Sequence, residues 1–106
     1  MNQEKVETAL YQDGADTATI AKFFLYHKAN LQVWQAFERY TMQAIEAGAK
    51  VGAKAIYERV RWESEIEKGE PFKANNNFCS YYARVFEVKH PQHKGFFEFR
   101  TIKGLK

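Results

Sequence analysis

The chain has 106 residues, of which 45% are hydrophobic and 16% aromatic, and it carries a net charge of +3. That is enough for one folded domain with one core, and too little for the large nucleotide-binding and barrel enzyme folds. The single cysteine, Cys79, excludes an intramolecular disulfide and a Cys-based zinc site, and it suits a reducing compartment.

Residues 1–16 are polar and acidic, with Asp13-Gly14 as a turn signal, and read as a short helix or a frayed polar arm ahead of one domain over 17–106. Asp16 or Thr17 can cap a helix from Ala18 to about Lys28, whose apolar positions are Ile20, Phe23, Phe24 and Tyr26. The cluster Phe23-Phe24-Leu25-Tyr26 is far too short to cross a bilayer, and residues 1–11 hold no signal-like apolar run. The expected location is therefore the cytoplasm, with no membrane partner.

Asn30 is the next cap, and Leu31, Trp34, Phe37, Thr41, Ala44 and Ile45 form a 3.6-period stripe over residues 31–47. Gly48 closes that helix. A further helix is expected over residues 53–67, with Ile56, Val60 and Ile66, helped by Tyr57 and Trp62, on its inner face. Arg59 and Glu63 stand one turn apart and can pair along it. The run Glu63-Ser64-Glu65-Ile66-Glu67 reads as a solvated acidic face.

Pro71 opens a short extended connector over residues 70–74. Phe78, Tyr81, Tyr82, Val85 and Phe86 then fall at spacings of 3, 1, 3 and 1, which predicts a helix over residues 77–90. After Gly95, the alternation Phe97/Phe99 against Glu98/Arg100 predicts a strand, paired with the 70–74 connector as a small ribbon. The expected fold is thus mainly α with a small β ribbon. It is a winged helix–turn–helix-like three-helix domain plus an N-terminal helix.

That order assigns chemistry to the last helix, because in such domains it enters the major groove. Its polar positions are Asn75, Asn76, Asn77, Ser80 and Arg84. Asn can read adenine and Arg guanine through paired hydrogen bonds, whereas capping the helix uses only one of the three asparagines. Residues 72–106 hold seven Lys/Arg against two Glu, a net of +5. Lys73, Lys94, Arg100 and Lys103 are the candidate phosphate contacts.

No other pattern competes. His90 and His93 lack further ligands in sequence, so no metal and no cofactor is expected. No Gly-rich phosphate loop or Gly-x-Ser-x-Gly is present, and Cys79 reads as a partly buried structural thiol rather than a nucleophile. Aromatic residues beyond what a small core can bury would form an interface, with the 31–47 helix as the natural element of a homodimer.

The stretch Phe72-Lys73-x-Asn75-Asn76-Asn77-Phe78, Tyr82-Ala83-Arg84-x-Phe86 and Gly95-Phe96-Phe97-Glu98-x-Arg100 resembles a family of small bacterial and phage or prophage proteins. Val33-Trp34-x-x-Phe37 and Ile56-x-Glu58-Arg59-x-Arg61-Trp62-Glu63 match the same pattern, so the resemblance covers about residues 30–103. It transfers no catalytic residue. It implies a phage or prophage setting in a bacterial cytoplasm. There the favoured expectation is a non-enzymatic regulator that reads double-stranded DNA with the 77–90 helix. The alternative is a protein-binding inhibitor of a host factor, of the anti-defence or anti-CRISPR kind. That alternative expects an exposed aromatic or acidic surface, with the acidic run Glu63–Glu70 as a candidate contact.

Overall fold

Val6 and Leu10, four residues apart in an otherwise polar segment, form the inner face of the first helix, α1 (Gln3–Gln12), and both are fully buried. α2 (Thr17–Ala29) and α3 (Leu31–Glu46) follow, separated by Asn30 alone, whose side-chain Nδ2 donates to the Tyr26 carbonyl at 2.9 Å. Gly48 takes φ +70° beyond α3 and donates its N–H to the Ile45 carbonyl, while Ala49 N–H reaches back to Ala44, so these two carbonyls of the last turn of α3 are satisfied. α4 (Ala53–Trp62) runs directly into a π-helical turn, Glu63–Glu67. α5 (Phe78–Lys89) and a 3-10 turn at Pro91–His93 complete the order. These are the elements of a computed structural model, which describes residues 3–72 and 77–99.

The helical class is as expected. The described residues contain no strand, and the β ribbon is not supported. Phe97 is buried against Phe37 and Phe86, with ring centroids 5.8 and 5.9 Å away. Its alternation with exposed Glu98 therefore comes from an irregular segment lying on helices. Residues 73–74 of the expected connector, and 100–103 of the expected strand, lie outside the described residues.

Of the short helix or frayed polar arm expected at 1–16, the structure has a helix over Gln3–Gln12, and it is docked on the core. α1 packs on α5, and its two apolar residues outweigh its polar composition, since burying a Leu or Val contributes about 1.5–3 kcal/mol. The core is built around α5, which packs against α1, α3 and α4 and meets α2 through aromatic rings. Tyr82 lies at its centre, with the rings of Phe23, His27, Trp34, Phe37 and Tyr57 all within 6.4 Å. The radius of gyration, 13.3 Å, matches the value of about 13 Å expected for one compact domain of this length.

Candidate functional site

The helix expected to read DNA does not lie on the surface. Phe78 and every residue from Tyr81 to Phe86 are buried, which leaves α5 no open face along those turns. Arg84 in particular is 2% exposed. Its Nε donates to Asp13 Oδ2 at 2.6 Å, its Nη1 donates to the Ser80 carbonyl at 2.8 Å, and its guanidinium lies 4.6 Å from the centre of the Phe99 ring. This corrects the placement of Arg84 on a groove-facing side. Its charge ties α5 to the end of α1. Ser80 is half-buried, and its hydroxyl donates to the Asn77 carbonyl at 3.1 Å. Asn77 is exposed beside the start of α5, and Lys94 is exposed in the turn after the 3-10 helix. Asn75, Asn76, Lys73, Arg100 and Lys103 lie outside the described residues.

Other singled-out side chains are tied into the fold. His90 Nε2 is 2.6 Å from Glu38 Oε2, which also takes Lys89 Nζ at 2.8 Å. Burial pushes the Glu38 carboxyl up, but the hydrogen bonds from Lys89 and His90 outweigh it and hold the group below its ordinary range. Both His90 and His93 pack on the Phe86 ring. Cys79 is half-buried, and that burial pushes its thiol pKa up, away from a reactive thiolate. Among the described residues no group of three or more His, Cys, Asp or Glu is placed to hold a metal ion, and no helix is long and apolar enough to cross a membrane.

The structure builds a surface site at the end of α4. There the Lys68 N–H reaches the Glu63 carbonyl, five residues back, at 3.0 Å, the wide step of a π turn. Such turns are rare and occur often at functional sites. This one is held from both sides. Glu63 Oε1 accepts the Tyr40 hydroxyl at 2.7 Å and Arg39 Nη2 at 2.6 Å, both from α3. The Tyr40 hydroxyl, against the cost of burial and with help from Arg39 and Lys68, holds the Glu63 carboxyl below its ordinary range. The Tyr40 ring carries the Arg39 and Arg59 guanidinium groups at 4.9 and 4.5 Å. Beyond the turn, Gly69 at φ +65° reverses the chain. Glu70 N–H then donates to the Ser64 carbonyl at 2.8 Å, and Ser64 Oγ donates to the Glu70 carbonyl at 3.0 Å.

Two surfaces result. Inward, the turn walls a groove of about 500 Å³ whose apolar lining includes Tyr26, Val33, Ala36, Val60 and Phe72. Asn30, Ser64, Lys68 and Glu70 are among its polar lining. Outward, Trp62 is 55% exposed and Ile66 61% exposed. Four residues apart, they stand one turn apart on the same outer side. Ion pairs flank them: Arg59–Glu67 at 3.2 Å and Arg61–Glu58 at 3.9 Å.

This outer side corrects three expectations. Residues 63–67 are not a plain continuation of the α-helix. Trp62 and Ile66 do not belong to the inner face, and Glu63 pairs with Arg39 rather than Arg59. The outward placement of Trp62 and Ile66 was present in the sequence, since residues two and six positions after Val60 point about 200° and 240° away from it. No protein family, curated protein or solved structure matches this chain.

Proposed function

We propose that the protein is a non-enzymatic binding module whose partner is another protein, docked on the outer side of α4 and the π turn. The exposure of Trp62 and Ile66, one turn apart within an acidic run, carries this reading. A large aromatic flanked by an aliphatic residue and rimmed by charged pairs has the composition of an interface hot spot. The π turn supports it, because a costly backbone geometry is braced there by Glu63, Ser64 and Glu70. In the phage setting that the sequence resemblance implies, the partner is a host protein whose surface the module covers.

A duplex-DNA role is the second reading, favoured by the placement of charge. Residues 3–72 and 77–99 hold twelve Lys/Arg against thirteen Asp/Glu, and the surplus cations are Lys73, Arg100, Lys103 and Lys106. A DNA role built on these would be phosphate contact without base reading by α5.

The test compares the full chain with the Trp62→Ser, Ile66→Ser double variant as bait for proteins of a bacterial host, alongside duplex binding at two salt concentrations. A stoichiometric protein held by the natural chain and lost by the variant supports the protein-docking reading. Equal capture by both baits, with tight and steeply salt-dependent duplex binding, replaces it with the DNA reading.

A further inference from the structure

Two outer helix faces of this molecule carry unmatched charges of opposite sign. On α2, Ala18, Lys22, Leu25 and Ala29 follow one another at helical spacing, opposite the buried Ile20, Phe23, Phe24 and His27. Leu25 is 71% exposed. Lys22 and Lys28 stand three residues to either side of it, α2 contains no Asp or Glu, and neither lysine has a carboxylate partner among the described residues. At the π end, Trp62 and Ile66 are the exposed apolar pair. Glu65 and Glu70 beside them are exposed and have no cation partner among the described residues.

We propose that these faces are the two halves of a self-association contact, in which α2 of one copy docks on the Trp62–Ile66 face of a second copy. Leu25 covers the apolar pair, and Lys22 and Lys28 face Glu65 and Glu70. The proposal rests on the reading of the π end as a protein-docking face and names a second copy as its occupant. The apolar centre excludes water, and the charges at the rim select the register and orient the encounter. Each copy offers both faces, so the contact either closes into a symmetric assembly or continues as a chain, with the same side chains in both cases. A contact built from so few side chains is small and weak.

Sedimentation of the full chain, from about 1 μM to about 1 mM, reads the association directly. The mean mass is expected to rise above one copy with concentration, and to rise less at high salt. Lys22→Glu with Lys28→Glu should weaken association about tenfold, and Glu65→Lys with Glu70→Lys should do the same. All four positions are exposed, so circular dichroism should show both variants folded. The decisive arm mixes them. One variant then has two acidic faces and the other two basic faces, so the mixture should associate more tightly than either variant alone. A strict monomer at every concentration overturns the proposal, as does association untouched by the reversals or a monomeric mixture. If the chain is a strict monomer yet still captures a host protein through Trp62, the second copy is excluded and the protein-docking reading stands.

Discussion

α5 and the end of α4 are both helices of mixed aromatic and charged composition, yet their charges do opposite work. On α5, Arg84 is buried and spent on Asp13 and a carbonyl, while Tyr81, Tyr82 and Phe86 fill the core. On α4, Ile56, Tyr57 and Val60 are buried, and Trp62 stands on the open side among charges that pair with one another. A polar residue on a helix therefore does not mark its outer face by itself. Packing on all sides turns a cation inward, as α1 does for Arg84.

Substituting aromatics in the two regions gives the widest separation. Tyr82→Ala empties the centre of the aromatic cluster and should cost about 3–5 kcal/mol of stability. Trp62→Ala removes a largely exposed ring and should change stability by no more than about 0.5 kcal/mol. Chemical denaturation of both variants checks the pair. A loss at Trp62 comparable with that at Tyr82 would show that the outer side of α4 is buried in solution.

The Arg84 ion pair is the next largest effect. Asp13→Ala leaves the buried guanidinium with its remaining partners only. The expected cost is about 2–3 kcal/mol, discounted from a fully buried pair because Asp13 is partly exposed. The same variant should leave duplex binding unchanged at fixed salt. Tighter, sequence-dependent duplex binding in Asp13→Ala would mean that Arg84 can turn outward as a base reader, against its placement here.

Acid sharpens the comparison through His27, which lies in the core against Phe23, Phe24 and Tyr82. Burial, with the neighbouring Lys28, lowers its pKa. The unfolded chain then takes up the proton first, so stability is independent of this group above about pH 6.5 and falls as pH drops below that value. Glu38 and Glu63, both held below their ordinary range, add a second loss as pH falls through the carboxylate region. His27→Gln should abolish the first decline and keep the second. Retention of the first decline would show that His27 is not the group that takes up the proton on unfolding.

How much of this was legible in the sequence differs by element. The helices at 17–29, 31–46 and 78–89 follow from their stripes to within one or two residues. Asn30 and Gly48 mark the boundaries of α3. For α1 the sequence leaves a short helix and a frayed arm both open, because only Val6 and Leu10 carry its apolar signal. The ribbon was misread because alternation fixes which side chains turn inward, not whether a neighbouring strand exists. The π turn depends on Tyr40 and Arg39 reaching Glu63 from another helix, which local spacing does not encode. Arg84 failed for the same reason, since its partner lies 71 residues away.

The smallest effect tests the centre of the buried region on its own. Tyr82 is fully buried, and its hydroxyl has no hydrogen-bond partner among the described residues. Burial pushes its pKa far up, so the group stays neutral, and the cost that remains is an unsatisfied donor and acceptor. Tyr82→Phe keeps the ring that meets Phe23, Trp34 and Phe37 while removing that cost. The variant should be as stable as the natural chain, or more stable by up to about 1 kcal/mol. A clear loss instead would mean that the hydroxyl has a partner in solution, and that the polar centre of the core, like the charge on α5, is spent on holding the helices together.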